Sequence, residues 1–226
     1  MGKPKLCLGC GRQLTYRDVN HCAWQLCQVC FDRDIDHLAE MVEKGNRRKI
    51  MNRTAKIQRM IQDITDNSEV HGFWDNRREP PETISLIHSE ISEALEEYRA
   101  RPDDLLTVRY RDTDGKPEGF GVELADTAIR VMDWMGHDGM RLSPVSVEDR
   151  MLTGYVPRDL AVLHLEASKV LEEQLAGYDM IVRPRLCRVL WLTARIAKMH
   201  KINLWDLIEE KHKFNVGRPY KHGKAC

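Results

Sequence analysis

Apolar residues recur along most of this chain at intervals of three and four, the spacing that places them on one face of an α-helix. Ile57, Met60, Ile61 and Ile64 stand at i, i+3, i+4 and i+7 and predict an amphipathic helix. Ile84, Ile87, Ile91, Ala94 and Tyr98 make a similar stripe in a helix predicted over 83–99, preceded by Pro80 and Pro81, where proline suits a first turn. A further helix is predicted over 122–135. There Val122, Leu124, Ala125, Ala128, Ile129, Val131, Met132 and Met135 cover much of the circumference, so this helix is expected to be packed on several sides. Roughly 20 residues, including DTDGKPEGFG, separate these two helices, and connections of that length in compact domains are usually functional or mobile. They are read as a loop or hairpin over a site. After a break over 143–157, helical patterns return over 159–176, 186–199 and 204–214. Strand patterns are scarce, and the expected fold class is all-α.

The start of the chain differs in kind. Residues 1–31 are rich in cysteine and turn residues, a helix with Asp32 as N-cap is predicted over 32–44, and Gly45 and Asn46 end it. The expected organisation is a small module over 1–45 and an all-α domain over 46–226, which 226 residues accommodate comfortably. Lysine plus arginine and aspartate plus glutamate number 35 each, so no net charge favours a dedicated nucleic-acid or membrane binder. No apolar run approaches the roughly 20 residues of a spanning helix, and MGKPKLCLGC lacks the apolar core of a signal peptide. A cytoplasmic protein without a membrane partner is expected.

Five of the seven cysteines fall within the first 30 residues, which points to thiolate metal ligands before disulfides. Cys7 and Cys10 form one CxxC, Cys27 and Cys30 a second, and sixteen residues lie between them, the spacing of a zinc ribbon with a closed four-sulfur site. Such zinc is structural. His21 and Cys22 lie close enough to substitute for one ligand. The basic residues Lys3, Lys5, Arg12, Arg17, Arg47, Arg48 and Lys49 leave nucleic-acid contact or partner docking open.

Carboxylates make the second pattern. Glu90, Glu93 and Glu97 form a stripe bordering the apolar face of their helix, and Glu123 and Asp126 occupy a narrow polar strip on the next. Glutamates at these spacings also decorate solvated helices, usually balanced by lysine or arginine. Half-buried carboxylates on neighbouring helices repel one another and raise each other's pKa, and a cation between them relieves both costs. All-oxygen ligation suits Mg²⁺ or Mn²⁺. Near the C-terminus Lys211, Asn215 and Arg218, at i, i+4 and i+7, would project from one face of a continuing helix, followed by Tyr220, Lys221, His222 and Lys224. That set fits a polyanion, or a solvated basic tail. Trp74, beside Phe73, is read as a surface for a nucleobase or as core packing. Neither His71 nor His88 is given a catalytic role.

The stretches GFWDNRREPPETISLIHSEISEALEEYR, KPEGFGVELADTAIRVMDW and KHKFNVGRPYKHGKA resemble the MazG-like all-α nucleoside triphosphate pyrophosphohydrolases over roughly residues 54–224, including forms common in bacteriophage genomes. The family pattern of ExxE on one helix and ExxD on the next matches Glu90, Glu93, Glu123 and Asp126. The resemblance implies that these four hold Mg²⁺, that the tail carrying Lys211, Asn215, Arg218 and Tyr220 contacts the triphosphate, and that a (d)NTP is cleaved to (d)NMP and pyrophosphate. Glu97 is assigned to orienting water or a ligand. A homo-oligomer, a dimer, is expected. The segment 142–200 departs from shorter relatives, which pass from the ExxD helix almost directly to the tail. A rival reading is a zinc-ribbon nucleic-acid-binding or adaptor protein with a catalytically idle helical scaffold.

One internal echo bears on that departure. Residues 87–97 (IHSEISEALEE) resemble 163–173 (LHLEASKVLEE), matching His88 with His164, Glu90 with Glu166 and Ser92 with Ser168. Lys169 stands where the first copy has Glu93. Either 158–210 is a degenerate repeat, or two amphipathic helices are similar by chance.

Overall fold

The computed structural model describes residues 47–76, 78–143 and 151–223. The helix expected over 32–44, the boundary at 45 and the zinc ligands Cys7, Cys10, Cys27 and Cys30 lie outside them. The described residues are mostly helical: α1 (Arg47–Val70), α2 (Pro80–Ala100), α3 (Phe120–His137), α4 (Val156–Leu175), α5 (Asp179–Met199) and α6 (Leu204–Val216). Among them no helix is long and apolar enough to cross a membrane.

The apolar stripes decide the packing. Ile57, Met60, Ile61 and Ile64 of α1 are buried, as are Ile84, Ile87, Ile91 and Ala94 of α2. Each fully buried isoleucine contributes about 1.5 to 3 kcal/mol by removing its side chain from water. α3 is packed against α1, α2, α5 and α6, as the apolar coverage of its surface predicts. α2, α3, α5 and α4 close a ring of four, each packed on the next, with α1 and α6 flanking α3.

Local chemistry sets the ends that matter for the site. Pro80 and Pro81 fill the first turn of α2, where their missing N–H groups cost no hydrogen bond. Arg101, driven out of the helical region by the following Pro102, ends it. The long connection folds into a small antiparallel hairpin, β1 (Arg109–Tyr110) with β2 (Pro117–Glu118), pairing Arg109 with Glu118 and Tyr110 with Pro117. Gly119 then turns the chain into α3 with φ 140°, and a Cβ there would stand 2.7 Å from the Thr107 carbonyl oxygen. Glycine is required at this turn, which delivers Glu123 to the first turn of α3.

Two boundaries differ from the sequence pattern. α5 begins at Asp179, not near 186, and carries Pro184 inside it. Burial of Ile181 and Val182 keeps that first stretch helical although Pro184 donates no hydrogen bond. α6 ends at Val216, so Arg218 does not continue its face as expected. Gly217 caps the helix, and Pro219 cannot supply an N–H to extend it.

The echoing segments meet. α2 packs on α4, and His88 and His164, which occupy matched positions, face each other across that contact.

Candidate metal and phosphate site

α2 carries Glu90 and Glu93 one turn apart, and α3 carries Glu123 and Asp126 likewise. Packing α2 on α3 brings one oxygen each of Glu90, Glu93 and Glu123 within 4.8 Å of one another. Asp126 is held separately: its Oδ2 accepts from Lys211 Nζ at 2.6 Å. Glu90, Glu93, Asp126 and Lys211 all line one cavity of about 260 Å³.

Burial makes this arrangement costly. Glu123 is buried, and its Oε2 has no hydrogen-bond partner. Desolvation first, then the charge of Asp126, pushes its carboxyl up to about 8, against the opposing pull of Lys211 and Lys116. Asp126 is also raised by burial, with Lys211 working the other way. Glu90 is stabilised by Arg130, whose Nε donates to Oε1 at 3.0 Å. An orphaned buried carboxylate oxygen beside two further carboxylates is a donor set that a hard divalent cation fits. Glu90, Glu93 and Glu123 present it directly, and Asp126 lies one turn from Glu123 on the same helix.

Cations border the same cavity. Lys211, Asn215 and Arg218 line it together, although Arg218 reaches it from beyond the end of α6. Asn215 is buried with its Oδ1 unpartnered. Arg130, and Arg111 and Lys116 from the hairpin, are further lining cations that the sequence reading missed. For Arg130 the signal was available: it stands one turn beyond Asp126 on the polar strip of α3. For Arg111 and Lys116 only the closure of the hairpin decides. The cavity continues past these charges to Ile64, Asn67, Phe73, Ile129 and Asp133. Asp133 is seven residues from Asp126 along α3, or about 10 Å of helix rise.

Other expected site residues stand elsewhere. Trp74 stacks on His137 with ring centroids 3.7 Å apart and planes 6° from parallel, and its Nε1 donates to Asp133 Oδ1 at 2.9 Å. One indole face is therefore covered, and its neighbour Phe73 is the aromatic that lines the cavity. Glu97 is paired with Arg109 of β1 and lies 3.9 Å from Arg101. Tyr220 donates its hydroxyl to Asp75. No family model, curated protein or solved structure matches this chain.

Proposed function

We propose that this chain is a Mg²⁺-dependent nucleoside triphosphate pyrophosphohydrolase of the MazG-like type, converting a (d)NTP to the (d)NMP and pyrophosphate. The observation that carries the reading is the convergence of Glu90, Glu93 and Glu123, with an unpartnered oxygen on Glu123, beside a cavity bordered by Lys211, Arg130 and Arg218. Acidic and basic groups in such proximity suit a polyanion that arrives with its own divalent counter-ion.

Glu90, Glu93, Glu123 and Asp126 would hold the cation, with Mn²⁺ as an alternative. Bound there, it would neutralise phosphate charge and make water a stronger nucleophile at neutral pH. The side chains supply the rest. Lys211 and Arg218 meet phosphate oxygens as point charge and planar fork, and Asn215 gives neutral hydrogen bonds. Arg130 holds Glu90 in place. Water attacks the α-phosphorus, pyrophosphate leaves, and the surrounding cations offset the charge that builds on the leaving oxygens. The stretch with Ile64, Asn67 and Phe73 would take the nucleoside.

A panel of all NTPs and dNTPs with Mg²⁺, scored for pyrophosphate, tests this. Nucleoside monophosphate and pyrophosphate are the expected products. Nucleoside diphosphate with orthophosphate as the primary products would reject the reading.

A further inference from the structure

Arg218 lies beyond α6, so the helix does not aim its side chain at the cavity. Its own N–H donates to the Asn215 carbonyl at 3.1 Å, and Pro219 restricts its backbone torsions without fixing where the segment lies. What ties it down comes from the turn after α1. The buried ring of His71 faces two carbonyl oxygens, that of Asn67 from Nδ1 and that of Arg218 from Nε2, each at 2.8 Å. The Lys221 N–H donates to the His71 carbonyl at 2.9 Å. Between them the Tyr220 ring lies on Gly72, which has φ +75° and where any Cβ would overlap that ring. The tail 217–223 is thus a strap fastened to residues 71–75, and the fastening nearest to the cavity is His71 to Arg218.

We propose that His71 is a positioning residue, holding the Arg218 backbone so that its guanidinium serves as a phosphate-binding arm of the cavity. The nature of the anion, a polyphosphate, rests on the pyrophosphohydrolase reading; the mechanical role of His71 rests on its contacts. His71 does not line the cavity itself; it contacts the backbone of two residues that do, Asn67 and Arg218, and the proposed role runs through Arg218.

The two ring nitrogens allow a discriminating test. Glutamine carries an N–H donor at the reach of Nε2 and preserves the contact to Arg218; asparagine carries one at the reach of Nδ1 and preserves only the contact to Asn67. Tripolyphosphate with Mg²⁺, titrated calorimetrically into the full chain, is the probe. His71→Asn is expected to weaken binding about tenfold, as Arg218→Ala does, since either change withdraws the guanidinium and its bidentate hydrogen bonds from the anion. His71→Gln is expected to stay within about threefold of wild type, and His71→Asn should cost nothing further in the Arg218→Ala background. Should His71→Asn not fold, His71→Phe, which keeps ring volume without either donor, carries the same expectation.

Equal losses in the glutamine and asparagine variants, or additive losses with Arg218→Ala, would overturn the role, because both are what general packing damage produces. A wild-type chain that ignores tripolyphosphate overturns it too. If the binding pattern holds but no nucleotide yields pyrophosphate, the enzymatic reading fails and the role of His71 stands. If nucleotides are cleaved but His71 and Arg218 act additively, the reverse is true.

Discussion

Nδ1 of His88 on α2 lies 2.7 Å from Nδ1 of His164 on α4, with the rings stacked 5.0 Å apart between centroids and 19° from parallel. A hydrogen bond between two such nitrogens needs one proton, not two. Burial lowers the pKa of His88, and burial followed by the charge of His88 lowers that of His164. Ser168 Oγ, 3.3 Å from His88 Nε2, is the other polar group on the pair.

The sign of the pH dependence follows. A lowered folded-state pKa means that the unfolded chain binds more protons, so stability rises with pH in this range. The contribution is complete above the ordinary histidine value of 6.5 and is lost as pH falls below it. Between about pH 7 and pH 5 this lowers the melting temperature against the opposite trend of the raised Glu123 and Asp126 carboxyls, so the histidine share of the slope is read as the difference between wild type and a histidine variant. His164→Gln should flatten that slope in part, because His200 and His212, lowered by their own burial, keep the rest. An unchanged slope in this variant would rule out the histidine pair as a contributor.

Glu123 has the opposite sign. With its carboxyl raised from 4.5 to about 8, the metal-free folded state prefers the proton, and stability is lost as pH rises from 4.5 towards 8. At pH 7 that costs about 3 kcal/mol. Glu123→Gln should therefore raise the melting temperature in EDTA at neutral pH while removing turnover and the stabilisation by Mg²⁺. Calorimetric and thermal melts with and without Mg²⁺ measure both; a destabilised variant in EDTA would contradict the account of a strained, unpartnered carboxylate.

Glu93 separates chemistry from folding. It is the exposed member of the acidic group, and its one hydrogen bond, from Ser89 Oγ at 3.3 Å, is to a neighbour on its own helix. Glu93→Gln should leave the denaturation midpoint unchanged and lower turnover by about 10²-fold or more, a loss typical of a deleted electrostatic group in an active site. Turnover within a few-fold of wild type would remove Glu93 from the ligand set.

Much of this architecture is legible from periodicity. The stripes of α1 and α2 announce their buried faces, and the apolar coverage of α3 announces a helix packed on several sides. Spacing alone also pairs Glu90 with Glu93 and Glu123 with Asp126. What periodicity cannot carry is direction outside a helix. Phe73 and Trp74 are adjacent, yet the turn after α1 sends Phe73 to the cavity and Trp74 onto His137. Arg218 was expected on the face of a helix that stops at Val216. Arg111 and Lys116 reach the cavity because a hairpin closes, and nothing in their spacing anticipates it.

Glu90 and Glu166 offer the sharpest contrast, since they match in the echo between 87–97 and 163–173. Glu90 accepts from Arg130 at 3.0 Å and shares its surroundings with Glu93 and Glu123. Glu166 instead meets cations: Lys169 at 2.8 Å, Arg188 at 2.9 Å and Arg185 at 3.6 Å. Lys169 stands at the position of Glu93, so positive side chains supply there what a metal ion would supply at Glu90. Glu166 and Arg188 are both buried, and removing one partner of such a pair strands the other charge at a cost of about 3 to 5 kcal/mol. Glu166→Ala should therefore lower stability strongly and leave the activity of the remaining folded protein intact. Glu90→Ala should do the reverse, abolishing turnover with a smaller loss of stability, because Arg130 retains Asp126 and Asp133 nearby. Lys169→Glu should create no second metal site, since Arg185 and Arg188 remain and α5 carries no acidic pair facing α4. Denaturant melts, turnover and Mn²⁺ stoichiometry on the three variants decide it; a second equivalent of Mn²⁺ in Lys169→Glu, or equal stability losses for Glu90→Ala and Glu166→Ala, would show that the two positions are not divided in this way.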